Sequence, residues 1–187
     1  MRRFILASSS PRRKEILLKA GYDFEIIKSE KEESITSGIS PEKFAVKNAL
    51  IKAEDVYGKV GDKEAVVLGA DTVVELDGVI YGKPKDISDA KRMLQTFSGK
   101  THRVITGYAL ISGYMRESGK VITEVTFNDL NGELIGEYLK SGLWQGKAGA
   151  YGIQDGYELV RGYKGDYDNV VGLPIGSIDE TIKEFLK

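Results

Sequence analysis

Cysteine is absent from this sequence and histidine occurs once, at His102. No thiol means no disulfide, no thiolate metal centre and no cysteine nucleophile, which accords with a reducing compartment. One histidine excludes a multi-histidine zinc site. An excess of one charge sign is missing too: 27 basic residues face 28 acidic ones, for a formal net charge of -1. No global field draws the chain to nucleic acid or to an acidic membrane, so any anion site must be local. Long hydrophobic runs are also lacking. The densest, residues 65–70, is bounded by Glu64 and Asp71, far short of the roughly 20 residues that span a bilayer. At the amino terminus, Met-Arg-Arg-Phe-Ile-Leu-Ala meets serines and Pro11 before an apolar signal core can form. The expected setting is the cytoplasm.

What is present is an ordinary globular composition, with 41% hydrophobic and 29% charged residues over 187 positions. That length supports one core, so residues 1–187 read as a single domain that a cleft could pinch into two lobes. A buried strand at 4–7 precedes a helix opened by Ser10-Pro11 and closed at Gly21. A strand at 24–27 and a polar segment at 28–38 follow. A second helix opens with Ser40-Pro41 and runs to about Tyr57, with Gly58 behind it. An apolar strand at 65–68 runs into Gly69-Ala70-Asp71, and strands at 72–76 and 79–81 flank the tight-turn pair Asp77-Gly78. A helix from Asp86 or Ser88 to Phe97, paired strands at 104–111 and 121–127, and a short helix capped by Asn131 come next. The glycine-rich stretch 142–176 reads as loops and short strands, and Ile175, Ile178, Ile182 and Phe185 mark a last amphipathic helix. Alternating strands and helices indicate an α/β or α+β fold on a mixed sheet.

Several residues suggest chemistry. The strand-turn-helix LASSSPRR, residues 6–13, offers the unpaired N–H groups of a helix start, which suit a phosphate. Arg12 and Arg13 in the first turn oppose the helix dipole, so they either grip an anionic guest or point into water. On a helical wheel Lys52 lies inside the apolar stripe of Phe44, Ala45, Ala49, Ala53 and Val56, with Asn48 beside it. An ammonium there meets carboxylates or phosphate, or its stem snorkels outward. Asp71 ends an apolar strand, where a carboxylate can hold a divalent metal or take a proton from water, or simply make a turn. Lys83, Glu32 and Glu33 read as solvated side chains on their own. His102 suits a structural hydrogen bond, and Trp144, Tyr151 and Tyr157 could stack on a base, although aromatics among glycines more often pack loops. Gln154 can donate to and accept from a pyrimidine edge.

Taken together, LASSSPRR, GADTVV (69–74), GKP (82–84), SGKTHRVITG (98–107), KAGAYGIQ (147–154) and NVVGLP (169–174) resemble the Maf-like nucleotide pyrophosphatases, also known as septum-formation-inhibitor proteins, in order and spacing across essentially the whole chain. The resemblance implies an elongated mixed sheet flanked by helices around a deep cleft, similar to the inosine triphosphate pyrophosphatases. It implies cleavage of a nucleoside triphosphate to the monophosphate and pyrophosphate, and the arginine pair, Thr72 and Gln154 look like the branch acting on dTTP and UTP. By the same resemblance Asp71 is the proton acceptor, and Arg12, Thr72 and Gln154 are specificity positions. Ser8, Arg13, Lys52 and Lys83 surround the phosphates. Asp71 and Glu33 hold a divalent cation, with Mg²⁺ the expectation. A homodimer is implied as well. The acidic loop reads Glu32-Glu33 where many relatives have Asp-Glu, so either glutamate can face the metal. Asn48 occupies an inward position that is usually apolar in the family. The other class of function the family name suggests is a nucleotide-binding regulator of cell division with little catalysis; stoichiometric pyrophosphate release separates the two.

Overall fold

The computed structural model describes residues 2–31 and 38–187. Within them the chain forms β1 (Phe4–Leu6), α1 (Pro11–Lys19), β2 (Glu25–Ile26), α2 (Pro41–Val60), β3 (Val66–Leu76), β4 (Val79–Tyr81), α3 (Ile87–Phe97), β5 (Thr101–Ile111), β6 (Arg116–Phe127), α4 (Gly132–Ser141), a 3-10 turn (Ala148–Ala150), β7 (Val160–Lys164), α5 (Tyr167–Val171) and α6 (Ile175–Phe185). The strands make one mixed sheet in the order β2-β1-β3-β5-β6-β7, with β4 also paired to β3. The fold is α/β, as the alternation of patterns indicates.

The long central strands organise everything else. β3 and β5 pair antiparallel from Val67↔Ile111 to Glu75↔Arg103, and at about 3.3 Å per residue each spans roughly 36 Å. The opposite edge of β3 is shared. β1 pairs parallel with its start, from Phe4↔Val66 to Leu6↔Leu68, and β4 pairs antiparallel with its end, from Val74↔Tyr81 to Leu76↔Val79. Asp77 (φ 53°) and Gly78 (φ 81°) make the β3–β4 turn, with the positive dihedrals that a two-residue hairpin of this hand requires. Between the two partners, residues 69–73 have no strand neighbour on that edge among the described residues.

Each half of the long sheet has its own apolar packing. Phe4 and Leu6 of β1 face Ile16 and Leu17 of α1 and Ile178, Ile182 and Phe185 of α6. The alternate residues Ile5 and Ala7 face Ala49, Ala53 and Val56 of α2. At the far end, Val74, Leu76, Val104, Val125 and Phe127 pack with Met93, Leu94 and Phe97 of α3 and with Ile135, Tyr138 and Leu139 of α4. α2 lies unusually close to the sheet because glycines meet it. A Cβ on Gly69 would fall 2.3 Å from the Ala49 carbonyl oxygen, and one on Gly107 2.3 Å from the Ala45 carbonyl carbon.

Three sequence expectations change. Residues 65–68 and 72–76 do not form two strands with Asp71 at the tip of the first, because β5 pairs with the whole stretch and makes one strand of it. Asp71 is therefore in mid-strand, opposite Gly107. α2 runs past Gly58 to Val60; its left-handed cap is Gly61 (φ 65°), whose N–H bonds the Tyr57 carbonyl. A glycine inside a helix costs only about 1 kcal/mol relative to alanine, which one turn of continued packing offsets. The stretch 142–176, read as loops and short strands, contains the short strand β7 and also a short helix, α5, capped by Asp166.

Candidate active site

Where β3 lacks a neighbour, a cleft of about 720 Å³ opens. Ser8, Arg12, Arg13, Lys52, Asp71, Thr72, Lys83 and Gln154, all singled out from the sequence, line it together. Lys28, Lys31 and Lys147 add three more cations, and Asp71 is the one carboxylate among the described lining residues. A protein with a net charge of -1 thus concentrates positive charge in one place. Glu32 and Glu33, the latter an expected metal ligand, lie outside the described residues.

The floor is built by α2 and β3. Gly69 and Asp71, two residues apart, point to the same face of the strand, and the close approach at Gly69 brings the middle of α2 over the carboxylate. Lys52 Nζ lies 2.5 Å from Asp71 Oδ1, with the side chains 14% and 4% exposed. Asn48 Nδ2 donates to Asp71 Oδ2 at 3.3 Å. The inward lysine thus meets a carboxylate instead of snorkelling away. Asn48, whose role no sequence pattern disclosed, explains its own inward polarity by holding the second oxygen. Its Oδ1 is buried without a hydrogen-bond partner. A carboxylate accepts about four hydrogen bonds, so Asp71 can serve Lys52, Asn48 and a guest in the cleft together.

The opposite wall is the start of α1. Ser10 caps it by accepting from the Arg13 N–H at 3.5 Å, and Pro11 occupies the first turn. No acidic residue sits in that turn, so the positive helix end is left uncompensated by its own side chains. Arg13 points inward instead of into water. Its Nε donates to the Gly172 carbonyl at 2.7 Å, Nη1 to Ser8 Oγ at 3.2 Å and Nη2 to Thr72 Oγ1 at 3.0 Å. Thr72 Oγ1 also shares a 2.9 Å hydrogen bond with Thr106 Oγ1. The Thr72 hydroxyl therefore bears on the cleft by setting where Arg13 lies. Arg12 Nη2 reaches the Gly146 carbonyl at 3.3 Å. Burial holds its guanidinium below the ordinary arginine value, and the charge of Asp155 offsets only part of that.

Residues 145–154 form a third wall. Gly149, at φ 69°, lets the loop lie flat on β3, where any Cβ at this position would stand only 2.7 Å from Val74 Cγ2. Its N–H bonds the Gly82 carbonyl at 3.0 Å beside Lys83. Tyr151 closes the cleft on one side and joins the core on the other. Its hydroxyl is 2.7 Å from His102 Nε2. His102 is buried among Phe97, Phe127 and Tyr151, and burial holds it down to about 4, so it is neutral and structural. Trp144 likewise packs in the core. The buried pair Lys147–Asp155, 2.5 Å apart, escaped sequence reading because its members are eight positions apart in a glycine-rich loop with no periodicity.

These features define a class: an α/β protein with a split sheet edge, in which a helix start and a ring of cations surround one buried carboxylate, a cleft suited to a multiply charged anion such as a polyphosphate. The chain belongs to the Maf-like protein family, whose model matches residues 3–185. It is 47% identical over 172 residues to a dTTP/UTP pyrophosphatase of Thermococcus gammatolerans, covering 91% of this chain and 90% of that one. It is also 47% identical over 186 residues to a dTTP/UTP pyrophosphatase of Bacillus cytotoxicus, covering 99% and 96%. Among solved structures, the Ham1 protein of Staphylococcus aureus aligns with a TM-score of 0.47 and 16% identity over 68% of this chain and 73% of that one.

Proposed function

We propose that this protein hydrolyses the α–β phosphoanhydride of pyrimidine nucleoside triphosphates, dTTP and UTP, to the monophosphate and pyrophosphate. The observation that carries the reading is the buried Asp71 carboxylate facing a cleft whose other charged side chains, among the described residues, are all cations. The kinship with curated dTTP/UTP pyrophosphatases supports the substrate class.

In this reading Asp71 takes a proton from a water molecule while the oxygen of that water forms the new bond to the α-phosphorus. The bond from that phosphorus to the bridging oxygen breaks, and pyrophosphate leaves with the electron pair. Lys52, paired with Asp71, lies against the developing charge. Arg13, Lys83 and the N–H groups at the start of α1 neutralise the phosphates. Ser8 holds the Arg13 fork at Nη1. Arg12 and Gln154 face the base, with Thr72 acting through Arg13.

A divalent cation is part of the same proposal, with Asp71 the one carboxylate that the described lining offers it. No cluster of three histidine, aspartate or glutamate ligands exists among the described residues, and Mg²⁺ commonly uses one or two carboxylates and completes its shell with substrate phosphates and water. Asp71 would hold it, and Glu33 is the further candidate. Bound there, the ion would screen the triphosphate charge and stabilise the departing pyrophosphate. A cytoplasmic homodimer is part of the same proposal, and light scattering on the purified chain tests the dimer.

The deciding experiment offers a panel of canonical and modified triphosphates with Mg²⁺ and scores monophosphate and pyrophosphate. Equimolar release from dTTP and UTP, abolished in Asp71→Asn with nucleotide binding retained, is the expected result. Parental turnover by Asp71→Asn removes Asp71 from the mechanism. Binding without release makes the protein a nucleotide-responsive regulator.

A further inference from the structure

Gln154 stands on a segment with no regular structure beyond one 3-10 turn, yet a residue that reads a base must be held still. A buried charge cluster behind the loop does the holding. The Asp155 carboxylate, 5% exposed, lies 2.5 Å from Lys147 Nζ through both oxygens and accepts from the Tyr138 hydroxyl at 2.7 Å. The Lys147 side chain is 9% exposed. Gly152 lies flat against the pair: a Cβ there would fall 2.6 and 2.8 Å from the carboxylate oxygens and 2.8 Å from Nζ. Tyr138 is fully buried on α4, so the cluster fastens the loop to the second apolar core.

Consecutive residues divide the work. Asp155 turns into the protein, while Gln154 is exposed and lines the cleft. Arg12 meets the same loop at the Gly146 carbonyl, next to Lys147. Arg12 and Gln154 also both line a smaller adjoining hollow of about 380 Å³. They therefore stand on the ridge that separates the two spaces, and the loop sets where that ridge lies.

We propose that Asp155 is a positioning residue for base selection: by anchoring Lys147 and Tyr138 it fixes the loop that places Gln154 and the Gly146 carbonyl met by Arg12. The inference rests on the functional reading above. Asp155 does not contact substrate. Without its charge, the Lys147 ammonium is buried without that counter-ion, and relief requires the lysine to swing toward the cleft or the loop to lift. Either movement displaces Gln154, and hydrogen-bond discrimination between bases is lost when donors and acceptors are misplaced by about 1 Å.

The test measures pyrophosphate release from UTP, dTTP, CTP and GTP for the parent, Asp155→Asn and the double variant Lys147→Met/Asp155→Asn. In Asp155→Asn the UTP-to-CTP ratio of kcat/KM is expected to fall about tenfold through a higher KM for UTP, with kcat for UTP within about threefold of the parent. The double variant leaves no buried ion uncompensated, so it keeps the fold if the single variant does not; because Lys147 also lines the cleft, its overall rate falls as well, and the UTP-to-CTP ratio is the readout that shows the same loss of selectivity. An unchanged ratio in either folded variant, or equal losses on every triphosphate in Asp155→Asn, reduces the pair to a structural brace and overturns the proposal. A parent that cleaves all four triphosphates alike refutes the functional reading itself, whereas a selective parent whose ratio survives substitution refutes only the role of Asp155.

Discussion

Replacing Lys52 by methionine keeps the stem and removes the charge facing Asp71. The 2.5 Å separation corresponds to about 7 kcal/mol of attraction at an effective dielectric constant of about 20. Much of that is offset by desolvation, and deleting one member of a buried pair costs about 3 to 5 kcal/mol. Lys52 is 14% exposed at the cleft, so water reaches the vacated space and the lower end, about 3 kcal/mol, applies. For a chain of this size each kcal/mol lowers Tm by about 2 to 4 °C, so Lys52→Met should melt about 6 to 12 °C below the parent. Loss of a charge beside the reacting phosphate should lower kcat/KM by about 10² to 10³. Asp71→Asn should destabilise less, because the lysine can turn toward the cleft. Calorimetry on nucleotide-free protein and a pyrophosphate-release assay measure both effects. A Lys52→Met variant melting with the parent and retaining its kcat/KM would refute the buried pair as drawn.

Asn48→Leu removes both the 3.3 Å bond to Asp71 and a buried, unpartnered Oδ1; thermal unfolding should show an equal or higher Tm, while steady-state kinetics show kcat about tenfold lower. Gly107→Ala forces a Cβ to 2.3 Å from the Ala45 carbonyl carbon, and chemical denaturation should register a loss of about 3 kcal/mol. By contrast Gly136→Ala, in open space on α4, should gain up to about 1 kcal/mol. His102 is held down to about 4 by burial, below its ordinary value near 6.5, so the unfolded chain binds its proton first as pH falls. Its contribution is complete above about pH 6.5 and is lost progressively toward pH 4, about 3 kcal/mol in all. In denaturation series across that range, His102→Gln should flatten the slope.

Local rules made much of this architecture legible. Ser10-Pro11 and Ser40-Pro41 mark helix starts that the structure contains, and Asp77-Gly78 marks a real hairpin. The helical wheel put Lys52 among apolar neighbours, and it is there because Asp71 is opposite. Legibility stopped where tertiary partners decide. Asp71 looked like a strand end because its neighbours are Gly69 and Ala70, but the strand continues; it is the flanking strands β1 and β4 that stop. Asn48 looked misplaced until its acceptor was visible. Lys147 and Asp155 are joined through space inside a loop, a relation no periodicity encodes.

The first strand lies beneath the last helix, with Phe4 and Leu6 packed on Ile178, Ile182 and Phe185 and Arg2 Nη1 bonded to the Phe185 carbonyl at 3.1 Å. The arginine-bearing turn thus leaves the ribosome long before the helix that seats it. Order at the start of α1 therefore depends on a closure between distant stretches of the chain, which contacts close in sequence cannot supply in advance.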